Sequence, residues 1–383
     1  MDNKHVYIFD TTLRDGLQSP GVLPLTLEQR VEIGMALADM RVDVIEAGFA
    51  IGSKLDFDSI HALAQKGIDS TVCSLSRVSE SDIEKSAEAI KGARRGRIHT
   101  FISTSPLHME HKLRMSPEQV LEAAVKGVKL ARNYTDDVEF SLEDFTRTDK
   151  EFSYKVIEAV IKAGATTVNL PDTVGYSMPE EYGQLIANVR NNVANVEDII
   201  LSTHCHNDLG VAVATSLAGV ANGARQVECS INGIGERAGN AAMEEVVMAM
   251  NIRNDIFQTK TDIITEYFTP ISNLVSKLTG MPVQRNKAIV GENAFTHESG
   301  IHQHGVNKNR ETYEIMTPES VGQGSELTLG VTSGRSGLAE KMKGLGFNLN
   351  KESIDKLYPL FIKQAENGRV SDSDLQIMAE NIL

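Results

Sequence analysis

The sequence has little that would tie it to a disulfide framework, a membrane or a polyanion. Only three of its 383 residues are cysteine: Cys73, Cys205 and Cys229. They are scattered with no CxxC spacing, which excludes a disulfide scaffold and fits a reducing compartment. No apolar run reaches the length that crosses a bilayer, and Met1-Asp2-Asn3-Lys4-His5 opens no apolar signal region. Positive charge is also short. Lys and Arg number 38 against 52 Asp and Glu, a net charge of −14, which argues against nucleic acid or an anionic membrane as a main partner. The one basic cluster, Arg94, Arg95 and Arg97, precedes a strand and is expected to be a solvated loop. These absences describe a soluble cytoplasmic protein. The hydrophobic fraction of 41% supports a sizeable core, and the length fits a barrel plus an appendage.

What is present is an alternation. Eight short apolar runs read as strands: Val6 to Phe9, Val42 to Ala47, Thr71 to Leu75, Arg97 to Ser103, Val138 to Leu142, Thr167 to Leu170, Ile199 to Thr203 and Gln226 to Ile231. Each precedes a segment with helical apolar spacing, such as Leu27 to Met40, Pro117 to Arg132 and Val211 to Ala221. Eight such units in about 250 residues predict an α/β fold, a (β/α)8 TIM barrel. A doubly wound open sheet is the competing arrangement, which periodicity does not exclude. Beyond the barrel the alternation stops and small, mostly helical subdomains are expected. The chain divides on this reading into a catalytic barrel over 1–258, a linker subdomain over 259–325 and a helical subdomain over 326–383.

A barrel of this kind carries its chemistry at the C-terminal ends of its strands. Polar residues fall there: Arg14 and Asp15, Glu46, Glu143, Thr173, His204 and His206, and Asn240. His99 sits inside the fourth strand, where an inward imidazole would line the mouth. His204 and His206 are two apart on a strand, so they share a face with Cα atoms roughly 6.5–7 Å apart. In a closed barrel the first, seventh and eighth strands are neighbours. Asp15, His204 and His206 can then converge on one divalent ion beside Asn240, leaving positions open for substrate. That donor set does not choose between Zn2+, Mn2+, Mg2+ and Fe2+, and a non-haem iron oxygenase is its competing use. A Lewis-acidic metal next to Arg14 suits a 2-oxo acid, with Glu143 as a base or a partner for one. Gly233 to Gly239 has GxGxxxG spacing, which is not a dinucleotide fingerprint. It is either a phosphate-holding loop or a tight turn that places Asn240. Ser333-Gly334-Arg335-Ser336-Gly337 reads as a helix start, by N-cap or by phosphate. Gly291 to His304 is a polar, His-rich stretch of functional-loop length.

Several of these segments resemble one family, that of the 2-isopropylmalate and homocitrate synthases. Phe9-Asp10-Thr11-Thr12-Leu13-Arg14-Asp15-Gly16 is similar to its first signature, and Leu201 through Ala214 matches its second, HxHNDxGxA. Asn169 to Gly175, Ala238-Gly239-Asn240, His302-Gln303 and Tyr313 to Glu319 also resemble family segments. The resemblance implies a barrel followed by two small subdomains, in a homodimer with a shared active site. It implies a Claisen-type condensation of acetyl-CoA with 3-methyl-2-oxobutanoate, then thioester hydrolysis, with homocitrate or citramalate synthesis as the alternative. It makes Asp15, His204 and His206 ligands of a divalent metal (Mn2+, Zn2+ or Mg2+), with Asn240 contributing. Arg14, His99, Ser141 and Thr173 would bind the oxo acid. Glu143 would be catalytic, with Arg14 beside it, and His302 and Tyr313 would reach the site from the second subdomain. The sequence departs from the family at Leu17, at Gln29, where a lysine is expected, and at Ala50 of Gly48-Phe49-Ala50. Leu17 is similar to the RDGLQ of hydroxymethylglutaryl-CoA lyase, but that enzyme uses a mobile-loop cysteine and no cysteine follows Cys229. Longer family members continue into a leucine-binding regulatory domain, so a sequence ending at Leu383 is expected to be a short form without it.

Overall fold

The structure, a computed structural model, describes residues 4–297, 305–306, 308–323, 329, 333–367 and 370–382. Eight strands run β1 (Tyr7–Asp10), β2 (Val44–Phe49), β3 (Thr71–Arg77), β4 (Gly96–Ser103), β5 (Asp137–Glu143), β6 (Thr167–Asp172), β7 (Ile200–Cys205) and β8 (Gln226–Cys229). They pair in sequence order, all parallel, and β8 returns to β1 with Tyr7 opposite Gln226 and Asp10 opposite Cys229. The closed ring rules out the open sheet.

The helices between strands follow from capping and apolar spacing. Ser116 caps Pro117–Ala131 in a reciprocal box with Gln119, and Pro117 occupies the first turn, where its missing N–H costs nothing. Val120, Ala124, Val128 and Ala131 then recur on one face and are fully buried. Thr26 caps Leu27–Asp39 in the same way with Gln29, whose side-chain oxygen accepts from the Thr26 N–H at 2.9 Å. Gln29 at the position where the family has lysine is thus a capping residue.

Strand alternation sends one set of side chains outward to the helices and the other into the barrel. Ile98, Val138, Phe140, Leu142, Val168, Leu170, Val227 and Cys229 are buried; they occupy the phase opposite to Arg97 and His99, Glu139 and Ser141, Asn169, and Gln226 and Glu228. The β4–β8 side of the barrel interior is therefore polar, while Phe9, Val44 and Cys73 form a buried apolar cluster on the β1–β3 side. Arg97 Nη1 donates to Glu139 Oε2 and Gln226 Oε1, both at 2.7 Å, and Gln226 Nε2 donates to Glu139 Oε1 at 2.8 Å and Ser202 Oγ at 2.9 Å. Arg97 is only 5% exposed. This corrects the expectation of a solvated loop, which holds for Arg94 and Arg95 but not for the first inward residue of β4.

Residues up to Val283 form one compact unit and those from Gln284 a second. The helix Phe268–Thr279 belongs to the first: Ile271 and Val275 are buried, Asn232 Nδ2 donates to the Ser272 carbonyl, and the Leu23 N–H donates to that of Thr279. In the second unit, Arg335–Gly344, Lys351–Ala365 and Asp372–Glu380 pack through Leu338, Met342, Leu357, Phe361 and Leu375. Gly334 is the N-cap of the first of these helices. Among the described residues no helix is long and apolar enough to cross a membrane.

Candidate metal centre and active site

Asp15 lies five residues beyond β1, where Gly16–Gln18 turns in a short 3-10 helix, and His204 and His206 lie at the end of β7. All three are buried, and their ligand atoms lie within 4.8 Å of one another. Asn240 joins them through the glycine loop after β8. Gly233 and Gly239 have positive φ (+68° and +91°), and the Asn240 N–H donates to the Gly233 carbonyl at 2.9 Å. A Cβ at Gly239 would run into that carbonyl, and one at Gly235 would run into Asn240 Nδ2 and Asp15 Oδ1. The GxGxxxG spacing is thus the tight turn that places Asn240.

The hydrogen bonds around these four residues are incomplete in one respect. Asn240 Nδ2 and the Glu236 N–H both donate to Asp15 Oδ1 at 3.0 Å. Asn240 Oδ1 and His206 Nε2 are buried with no hydrogen-bond partner, and His206 Nε2 lies 3.6 Å from Asp15 Oδ2. Unpartnered buried acceptors are rare and costly. Here they gather beside a carboxylate, which is what a divalent cation would satisfy. Charge states agree. Burial pushes His204 down to about 4 and lowers His206 as well, so both imidazoles are neutral donors at physiological pH. Burial would raise Asp15, but the Arg14 guanidinium and the imidazoles outweigh it and hold it well below the usual carboxylate range. The residues fit a metal.

Behind them stands a supporting layer. Glu228, opposite His204 in the β7–β8 ladder, brings Oε2 to 2.8 Å from His204 Nδ1. Arg237 Nη2 lies 2.6 Å from His206 Nδ1 and donates to Asp208 Oδ2 at 2.9 Å. Arg14 spans two carboxylates, Nε to Glu46 Oε2 at 2.5 Å and Nη1 to Asp15 Oδ2 at 2.6 Å. Glu46 Oε1 in turn accepts from His99 Nδ1 at 2.7 Å. Burial would lower His99, but Glu46 and Glu139 carry it up to about 9, so the ring is an imidazolium at neutral pH. Its Nε2–H then donates to Ser141 Oγ at 2.6 Å, and Asn169 Nδ2 donates to the same oxygen at 2.9 Å. With both lone pairs taken, the Ser141 hydroxyl has only its proton left to offer, and Ser141 lines the cavity.

That cavity, about 260 Å3, is bordered by Arg14, Asp15, His99, Ser141, Glu143, Thr173, His204 and His206, with an apolar contribution from Phe49, Leu75, Phe101 and Pro171. Glu143 ends β5. Its Oε1 and Oε2 accept from Lys112 Nζ at 2.6 and 2.8 Å, and Oε2 also accepts from Ser103 Oγ at 2.5 Å. Thr173 Oγ1 accepts from the Asp144 N–H at 2.9 Å. Eight of the sequence-predicted site residues thus border one cavity, and Asn240 adjoins it through Asp15. Tyr313 belongs to the second unit, its ring 6.2 Å from that of His297. His302 lies outside the described residues.

Sequence reasoning missed Glu139, Glu228 and Asn169. The signal was available in the strand phase: Gln226-Val227-Glu228-Cys229 alternates polar and apolar, and in a barrel the apolar phase faces the helices. Lys112 and Arg237 sit in irregular segments that carry no such signal.

A family model described as HMGL-like matches residues 5–275, and one described as homocitrate synthase post-HMGL domain-like matches 289–369. A 2-isopropylmalate synthase of Aquifex aeolicus is 55% identical over 376 residues, 97% of this chain and 72% of that protein. The chain belongs to the 2-isopropylmalate synthase family. A 2-isopropylmalate synthase of Rhodopseudomonas palustris is 54% identical over 100% of this chain and 73% of its own length, and that of Nitrosomonas europaea is 56% identical over 94% and 70%. Among solved structures, a hydroxymethylglutaryl-CoA lyase from Pseudomonas aeruginosa aligns with a TM-score of 0.62 at 21% identity, covering 73% of this chain and 95% of that one. The HMG-CoA lyase from Brucella melitensis aligns at 0.60 and 19%, covering 72% and 99%. At that identity these structures speak for the barrel fold alone.

Proposed function

We propose that this chain is a 2-isopropylmalate synthase. It condenses acetyl-CoA with 3-methyl-2-oxobutanoate and hydrolyses the thioester, the first committed step toward leucine. The observation that carries the reading is the metal-ready trio Asp15, His204 and His206 in a cavity with cationic and apolar walls. A divalent ion, Mn2+, Zn2+ or Mg2+, held by these residues with Asn240 would supply Lewis acidity toward the oxo acid. Arg14 and the charged His99–Ser141 pair meet the negative charge of the oxo acid, Ser141 offering its free proton and Thr173 adding a hydroxyl. Glu143 takes a proton from the acetyl methyl group, and that carbon forms the new bond to the ketone carbon, whose oxygen ends as a hydroxyl. Water then cleaves the thioester and the coenzyme leaves as its thiol.

Homocitrate synthesis would need a basic group for a second substrate carboxylate. Leu75 of β3 lines the cavity instead, and Arg77 is outside its lining, held by Asp82 through Nε at 2.7 Å and Nη2 at 3.0 Å. Phe49, Leu75 and Phe101 suit a branched alkyl group. Thiol release from acetyl-CoA, measured over a panel of 2-oxo acids, is expected to give its highest kcat/KM with 3-methyl-2-oxobutanoate. A preference for pyruvate or 2-oxoglutarate would move the assignment to citramalate or homocitrate synthesis.

The reading extends to a cytoplasmic homodimer in which His302 and Tyr313 complete the site of the partner subunit. It also extends to a functional division into barrel (1–258), linker subdomain (259–325) and helical subdomain (326–383), the helix Phe268–Thr279 being the part of the linker that rests on the barrel.

A further inference from the structure

We propose that the segment after β4, residues 106–114, is the docking strip for the phosphates of coenzyme A; the proposal rests on the acetyl-CoA chemistry above. A cavity of about 260 Å3 is small against the roughly 300–1,000 Å3 that encloses a whole drug-sized ligand. It takes an oxo acid and the acetyl thioester end, so the nucleotide end must lie on the rim. The rim consists of the loops that follow the eight strands, and only one of them carries net positive charge. Residues 104–116 hold Lys112 and Arg114 against Glu110, a formal +1 with the histidines taken as neutral. The loops after β1, β2, β3, β6 and β8 are formally neutral, and those after β5 and β7 are each −1. In a chain of net charge −14 this is where a polyanion is least repelled.

The segment is also built, and its ends are tied to the active site. Met109 is buried beneath it, and His108 Nδ1 lies 2.9 Å from Asp144 Oδ2, just past β5. Lys112 Nζ reaches the cavity-lining Glu143 at 2.6 Å. Met109–Leu113 forms a π-helical turn, a rare conformation that recurs at functional sites, and Arg114 follows it in the left-handed region at φ +55°. Other rim arginines are committed: Arg14 to Asp15 and Glu46, Arg77 to Asp82, Arg147 to Asp144, Arg237 to Asp208. Among the described residues Arg114 has no acidic partner, and it is exposed together with His111. Leu107, 52% exposed at the start of the segment, offers apolar surface to the adenine or the pantetheine arm.

The test uses a His111→Ala/Arg114→Asn double variant of the full chain, asparagine being chosen because it tolerates the left-handed backbone. Neither residue touches Glu143, so kcat and the KM for the oxo acid are expected to stay unchanged. The KM for acetyl-CoA should rise about fivefold, the order expected for losing one exposed charge contact and one exposed polar contact. With S-acetylpantetheine, which lacks every phosphate, variant and wild type should have the same KM. Direct titration with coenzyme A should show the same weakening. An unchanged KM for acetyl-CoA, or an equal rise with S-acetylpantetheine, overturns the proposal. Absence of turnover by the wild type with every oxo acid would fail the synthase reading instead, and the coenzyme titration would still decide the strip.

Discussion

His204 and His206 illustrate how burial keeps an imidazole neutral and ready for a metal. Both imidazoles are held neutral, and Asp15 beside them is held ionised by Arg14. His204→Ala is therefore expected to lose bound metal and turnover while keeping its fold, because the residue sits at a strand end above the packed layers. Metal analysis of the purified variant checks this; stoichiometric metal with full activity would contradict it. His99 behaves in the opposite sense. Its ordinary value near 6.5 is carried up to about 9 in the folded barrel, so it binds a proton more tightly folded than unfolded. Its contribution to stability is then fully present below about pH 6.5 and is lost as pH rises through about 9. Denaturant unfolding of wild type and His99→Asn across that range should show the stability gap closing as pH rises, and a gap that widens would contradict the assignment.

Among the elements, the loop after β8 turns glycine geometry into the placement of Asn240. Gly239→Ala puts a Cβ against the Gly233 carbonyl at a backbone φ of +91°. The strain is about 1–3 kcal/mol, and relieving it moves Asn240 and the hydrogen bond it gives Asp15. We expect a lower melting temperature together with weaker metal binding by chelator competition; unchanged metal affinity would mean the turn does not set the site. The strands and the convergence of Asp15, His204 and His206 were legible in the sequence, because β-branched runs and the HxH pair are local patterns and eight βα units suggest a closed ring. The polar side of the barrel interior was not. Arg97 lies at the end of an exposed basic cluster, and only its position in the β4 register shows that it points into the barrel toward Glu139. Glu143 was legible as a strand-end acid, whereas its partner Lys112 arrives from a π-helical turn that no periodicity announces.

At the scale of the whole molecule, the chain comprises a barrel unit that carries the cavity and a second unit that carries Tyr313. If active sites are shared between subunits, as proposed, Asp15→Ala and His302→Ala homodimers should each be nearly inactive. Their co-expressed heterodimer should regain activity, since one of its two sites then has neither defect. No recovery in confirmed heterodimers would place both residues in the same chain's site.

As proposed, carbon–carbon bond formation depends on a metal held by Asp15, His204 and His206. The most direct measurement follows isotope-labelled acetyl-CoA and 3-methyl-2-oxobutanoate by mass spectrometry, using enzyme stripped of metal and then resupplied with Mn2+, Zn2+ or Mg2+. Labelled 2-isopropylmalate and free thiol are expected in equal amounts, absent after stripping and restored by at least one of these ions. Labelled product formed at full rate by the stripped enzyme would contradict that dependence.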